Sequence, residues 1–147
     1  MPPELVVRRF EADDRTAWER LFRDYIAFYE RSLEPAVYER TWSDLLLDER
    51  IHGRAAVQGD DIVGIAHFLV HAHTNANDVC YLQDLFTAPA ARGRGAARAL
   101  ISYITDWARE RQLSRVYWQT KASNDRARRL YDRVAEHRGF IVYQVDL

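Results

Sequence analysis

An α/β fold, with a mixed central sheet flanked by helices, is what this 147-residue sequence predicts. Three observations carry that expectation. Short runs rich in β-branched and aromatic residues are bounded by turn residues. Longer runs between them repeat apolar residues at helical spacing. Their order along the chain, β-α-α-β-β-β-α-β-α-β, is that of a sheet flanked by helices. No repeat, linker or low-complexity segment interrupts it, so residues 1–147 read as one domain.

Leu5 to Phe10 (LVVRRF) is the first expected strand. Asp13 or Asp14 can cap a helix reaching about Glu30, with Trp18, Leu21, Phe22, Tyr25, Ile26 and Tyr29 on one stripe. Pro35 ends that region, because the residue before a proline disfavours helix, and it suits the first turn of a second helix to about Asp48. Arg54–Gln58 and Asp61–Ala72 read as strands joined by the turn Gln58-Gly59-Asp60-Asp61. Val79–Thr87 follows a second turn. The next helix has the stripe Ala97, Leu100, Ile101, Ile104 and Trp107 or Ala108, with Arg98, Ser102, Thr105 and Arg109 on its other side. Ser114–Thr120 is a fifth strand, Asn124 caps a helix to about His137, and Phe140–Val145 is the final strand.

Composition narrows the function. Lys and Arg total 21 against 22 Asp and Glu, without the basic excess of a protein that grips a nucleic-acid backbone. Lys121 is the only lysine, so arginine clusters carry reduced weight. The apolar stretch Ile62–Val70 is too short to span a bilayer. A single cysteine, Cys80, excludes an internal disulfide, and the N-terminus lacks the pattern of a signal peptide, so a cytoplasmic location is expected.

The stretch TAPAARGRGAARAL sets Gly93 and Gly95 immediately before a helix, among Arg92, Arg94 and Arg98. A phosphate-binding P-loop needs Gly-Lys, which the chain lacks, and the dinucleotide fingerprint would need a glycine at Arg98. A third pattern, Arg92-x-x-Gly95-x-Ala97, lets backbone N–H groups meet an anion at a helix N-terminus. A glycine-rich turn with solvated arginines is the plain alternative.

Together with YLQDLFT (Tyr81–Thr87) before it and NDRARRLY (Asn124–Tyr131) after it, this loop resembles the GNAT superfamily of acyl-CoA-dependent N-acetyltransferases. The likeness spans nearly the whole chain. YLQDLF is similar to the strand of spermidine/spermine N-acetyltransferases, and LYDRVAEHRGF resembles proteins assigned to small amines. The resemblance implies a GNAT fold split after the fourth strand, acetyl-CoA as cosubstrate, and a homodimer paired through the final strand. It further implies that the backbone of Arg92, Gly93, Arg94, Gly95, Ala96 and Ala97 binds the pyrophosphate. Phe86 and Thr87 would run beside the pantetheine arm, the Phe86 amide polarising the thioester carbonyl, with Asn124 and Tyr131 across from it.

Acetyl transfer to an amine needs a neutral nucleophile, because an amine with a pKa near ~10.4 is almost wholly protonated at neutral pH. Asp84 is the candidate to steer the amine and relay its proton; a structural carboxylate is the other reading. Gln83 stands where the spermidine/spermine enzymes carry a glutamate, which leaves the base open. Tyr131, on an apolar stripe, reads either as a core aromatic or as the acid that protonates the leaving thiolate. Aromatic residues around the first helix pair, Tyr29 among them, suit a cationic small-molecule amine. His71 and His73 share a strand face with His67, but no further ligands stand at zinc-site spacing, so no metal is expected. Rival readings are an acetyltransferase of protein lysines or N-termini, and an acyl-CoA-binding sensor without turnover.

Overall fold

The computed structural model describes residues 3–147. Strand β1 (Leu5–Arg9) leads through a turn to helix α1 (Arg15–Phe28), and α2 (Pro35–Leu47) begins on its proline. The turn before α1 is fixed by Asp14, whose carboxylate accepts the Glu11 N–H at 2.7 Å and pairs with Arg8. A meander follows: β2 (His52–Gln58), β3 (Asp61–His71) and β4 (Val79–Thr87). Helix α3 (Ala96–Glu110), the two-residue strand β5 (Val116–Tyr117) and helix α4 (Asp125–Val134) complete the regular structure. The sheet runs β1-β2-β3-β4-β5, antiparallel except that β5 is parallel to β4.

Each face of the sheet carries its own core. Trp18, Phe22 and Ile26 of α1 and Tyr38 and Trp42 of α2 pack on Phe10, Ile65 and Phe86. Leu100, Ile101, Ile104 and Trp107 of α3 pack on Ala66, Phe68 and Leu82 on the opposite side. Because both faces are covered, Ile62–Phe68 is buried without the alternation of a half-solvated strand. Leu100 and Ile104 are fully buried, each contributing about 1.5–3 kcal/mol, and they anchor α3 against the sheet. Gly64 permits that contact. A Cβ at this position would meet Leu100 Cδ1 and the Phe86 carbonyl oxygen at 3.3 Å, and Ala96 Cβ at 3.4 Å.

The structure departs from the expected elements at the C-terminal end. β5 pairs Val116 and Tyr117 with Cys80 and Tyr81 and then stops, well short of the expected Ser114–Thr120. β4 continues to Thr87, so its edge beyond Tyr81 has no strand beside it. This is where the resemblance expects the sheet to split. Helix α4 ends at Val134 rather than near His137, with Ala135 already extended. The expected final strand Phe140–Val145 forms no ladder. Its residues favour extended backbone, but a strand also needs an edge to pair with, and the chain carries them away from its own sheet. Phe140, Tyr143 and Val145 are 86%, 88% and 84% exposed.

Candidate active site

The gap between β4 and β5 forms a pocket lined by Leu82, Gln83 and Leu85 on one side and Trp118, Gln119 and Thr120 on the other. Tyr25 and Tyr29 close it from α1, and Tyr131 reaches it from α4. A bulge at Gln83 lies beside the opening: His67 pairs with Asp84 and Phe68 with Leu82, which leaves Gln83 without a partner on β3. Bulges of this kind re-aim side chains beside active sites. Gln83 is exposed, while Asp84 and Leu85 are half-buried.

Backbone polarity along β4 follows from one bond. Ala88 donates its N–H to the Val63 carbonyl at 2.8 Å. Antiparallel pairs exchange hydrogen bonds at every second residue, and Phe86 stands opposite Ile65 in the same register. The Phe86 amide therefore turns toward β3, and the amides of Leu85 and Thr87 face the open side. Phe86 itself is buried in the α1–α2 core, its ring 5.8 Å from that of Tyr25. The Phe86 amide, to which the resemblance assigned the thioester carbonyl, thus points into the sheet rather than toward the gap, an alternation that counting back from the turns could have found.

Directly beyond β4, the turn Pro89–Ala91 and the residues Arg92–Gly95 lead into α3. Gly93 and Gly95 hold φ of 82° and 87°, in the left-handed region that favours glycine. Gly95 is the N-cap residue of α3 and, among the described residues, no side chain caps that end. The first-turn N–H groups there and the helix dipole are thus presented to an anion. Arg92, Gly93, Arg94, Gly95 and Arg98 are exposed, Ala96 is buried and Ala97 half-buried, and Arg94 donates to Gln58 Oε1 at 3.2 Å. Across the gap, Asn124 occupies the N-cap position of α4, but its Nδ2 donates to Thr120 Oγ1 at 3.1 Å rather than to the helix.

Asp84 lies behind the pocket wall, on the α1 side of the sheet. Its Oδ2 is 2.9 Å from His67 Nδ1. Burial first, and then the charge of Asp84, push the Tyr25 phenol far above its ordinary value. Burial, and then Tyr29, push the Tyr131 phenol up to about 12. The Tyr131 ring packs edge-on against Trp118, with centroids 5.4 Å apart. Tyr29 contacts Tyr25 at 5.2 Å, and its outer face carries Lys121, whose Nζ is 5.6 Å from the ring centroid. The sequence reading missed His67, Trp18 and Lys121 as neighbours of the site. His71 is held by Tyr117 and the Ala72 carbonyl, and no group of three His, Cys, Asp or Glu among the described residues could hold a metal.

The parted sheet edge, the glycine-bordered N-terminus of α3 and the Tyr131 phenol lie together at one site. The chain belongs to the acetyltransferase (GNAT) family, which matches residues 18–135, and is an acetyl-CoA-dependent N-acetyltransferase. It is 31% identical over 145 residues to the D-amino-acid N-acetyltransferase of Saccharomyces cerevisiae, covering 95% of this chain and 89% of that one. It is 26% identical over 104 residues to the thialysine N-epsilon-acetyltransferase of Caenorhabditis elegans, covering 67% of this chain and 65% of that protein. The fold matches the aminoglycoside N-acetyltransferase AAC(6')-Iy bound to a CoA bisubstrate analogue, with a TM-score of 0.84, 16% identity and coverage of 98% and 99%. Among the described residues, no helix is long and apolar enough to cross a membrane.

Proposed function

We propose that residues 1–147 act as one enzyme unit that moves acetyl from acetyl-CoA to the primary amine of a small cationic acceptor, by direct attack in a ternary complex. The observation that carries this reading is the parted β4–β5 edge, which runs from the N-terminus of α3 to a pocket holding Tyr131, Tyr29 and Tyr25, with Asp84 at its back. The pyrophosphate sits on the backbone of Arg92–Ala97, and the pantetheine arm passes Thr87 and Asn124. The acceptor enters as an ammonium between Tyr29 and Asp84 and gives one proton to the Asp84 carboxylate. The neutral nitrogen attacks the thioester carbonyl, whose developing oxyanion is met by open-side amides of β4. As the C–S bond breaks, the thiolate takes the proton of Tyr131. The amide nitrogen, Asp84 and the tyrosinate then re-equilibrate with water, releasing one proton per turnover. No metal, nucleic acid or membrane enters this scheme, and acetyl-CoA supply and the buried free Cys80 suit the cytoplasm.

Lys121 favours a second reading of the acceptor. Its ammonium beside Tyr29 would repel a polycation at the pocket mouth and attract a carboxylate, and the two named relatives act on amino acids. One experiment separates these readings from each other and from the rivals: thiol release with polyamines, amino acids, neutral amines and basic peptides, for wild type and Asp84→Asn. A cationic acceptor steered by Asp84 should lose several-fold or more in kcat/KM relative to a neutral amine in the mutant, because a partly exposed charge pair is worth roughly 0.2–1 kcal/mol and a desolvated one more. An unchanged ratio removes Asp84 from acceptor recognition. Turnover of amino acids alone selects the second reading, turnover of peptides alone the protein-directed rival, and binding of acetyl-CoA without turnover the sensor.

We further propose a homodimer joined through the C-terminal segment. Phe140–Val145 is rich in β-branched and aromatic residues, lies exposed, and pairs with no strand of its own chain, while the sheet ends at the two-residue β5. An unpaired strand and an unpaired edge are complementary needs. Light scattering at micromolar concentration should give the mass of two chains, and a chain shortened after Arg138 the mass of one. A full-length monomer would end the idea.

A further inference from the structure

The buried histidine behind the pocket has a fixed orientation. Trp18 is fully buried and His67 is 2% exposed. The Trp18 indole donates its N–H to His67 Nε2 at 2.9 Å. An indole can only donate, so Nε2 must present a lone pair and the ring proton must sit on Nδ1. That Nδ1–H faces Asp84 Oδ2 at 2.9 Å, and the two residues stand directly opposite one another across β3 and β4. Phe22 packs edge-on against the imidazole at 4.9 Å and Phe10 lies at 6.5 Å, so the ring is enclosed by apolar groups on its remaining sides. The titratable groups around Asp84 are His67 from β3, Tyr25 from α1 with Tyr29 behind it, and Tyr81 from β4.

We propose that His67 is a positioning residue for acetyl transfer: a neutral imidazole, its tautomer selected by Trp18, that ties down Oδ2 of Asp84 and leaves Oδ1 to take the acceptor's proton. The inference rests on the role given to Asp84 above. The histidine does not relay the proton onward, because a second ring proton on Nε2 would face the Trp18 N–H, donor against donor. Asp84 is therefore the end of the proton path on the protein side and returns its proton toward the pocket. One bond changes hands in this step: an N–H of the ammonium breaks and an O–H on Oδ1 forms. The bond from Nδ1–H is made to a charged acceptor, the stronger class of hydrogen bond, and it favours the carboxylate over the carboxylic acid.

Two substitutions test this. His67→Asn keeps an N–H near the position of Nδ1, and His67→Leu removes it. In His67→Leu, Asp84 loses a donor that favours its charged form. The acid limb of kcat/KM should then move to higher pH, by on the order of one unit, and the rate at neutral pH should fall about 10-fold or more. His67→Asn should keep the limb near its wild-type position and recover most of the rate. Equal profiles for the two variants would reduce His67 to packing and overturn the inference. On an Asp84→Asn background, His67→Leu should leave the pH profile unmoved. A wild-type-like Asp84→Asn enzyme would instead defeat the role of Asp84 itself. Should the leucine variant not fold, nitrogen NMR of the wild-type imidazole decides: a bare Nε2 and a protonated Nδ1 at neutral pH are expected, and the opposite tautomer or an imidazolium overturns the proposal.

Discussion

Acetyl-CoA at a hundredfold excess over its dissociation constant should raise the melting temperature of the wild-type protein by roughly 5–10 °C and leave that of Gly95→Val unmoved. A ligand bound only by the folded state stabilises it by about 2.7 kcal/mol at that excess, and each kcal/mol moves the melting point of a chain this size by roughly 2–4 °C. The substitution separates ligand from fold because of where Gly95 stands. Among the described residues, no atom lies within 4 Å of a Cβ built there, so an added side chain meets only what binds at the end of α3. Its φ of 87° makes valine strained, by about 1–3 kcal/mol, which lowers the starting melting point without removing the fold. Arg92→Ala should weaken the shift only in part if, as proposed, backbone amides make most of the contact. A full shift in a folded Gly95→Val protein would place the pyrophosphate elsewhere.

What could be read from the sequence here, and what could not, divides by distance along the chain. The glycines before α3, the Leu100–Ile104 stripe and Asn124 at the start of α4 are set by neighbouring residues, so their roles in the fold are written locally. The Trp18–His67 bond joins residues 49 positions apart, and the His67–Asp84 contact depends on a register that skips Gln83. Neither a period nor a motif encodes such a bulge. Its trace is a polar residue in each strand, His67 within the buried stretch Ile62–Phe68 and Asp84 beside the unpaired Gln83. The last strand is the converse case. Its β-branched and aromatic composition is local and plain, but whether it pairs, and with which edge, depends on a partner that the segment's own residues do not specify. Tyr29 was legible as one of the aromatics around the first helix pair, whereas the cation on its outer face came from Lys121, far away in sequence and brought in by the loop after β5.

Tyr131→Phe should lower kcat by on the order of 10- to 10³-fold and leave the acetyl-CoA-dependent rise in melting temperature intact. The substitution removes one oxygen from a ring that packs against Trp118 and keeps that packing, so binding and folding should change little. The loss falls on the step in which sulfur departs, where a positioned acid contributes typically ~10²–10⁴-fold and water in the pocket replaces part of it. Burial, with Tyr29, raises the phenol to about 12, and the consequence has a definite sign. A group with a raised pKa holds its proton at every pH below that value, so the acid form is present throughout the neutral range and contributes no basic limb there. Against a free thiol with a pKa near ~8.5 the transfer is uphill. The step therefore goes forward only if the tyrosinate is re-protonated promptly, by the nitrogen of the collapsing intermediate or by water. A solvent isotope effect on kcat that is present in wild type and smaller in Tyr131→Phe is the corresponding signature. Should the mutant instead lose acetyl-CoA binding with kcat preserved at saturation, Tyr131 is a wall of the pantetheine channel, and the departing thiolate takes its proton from water.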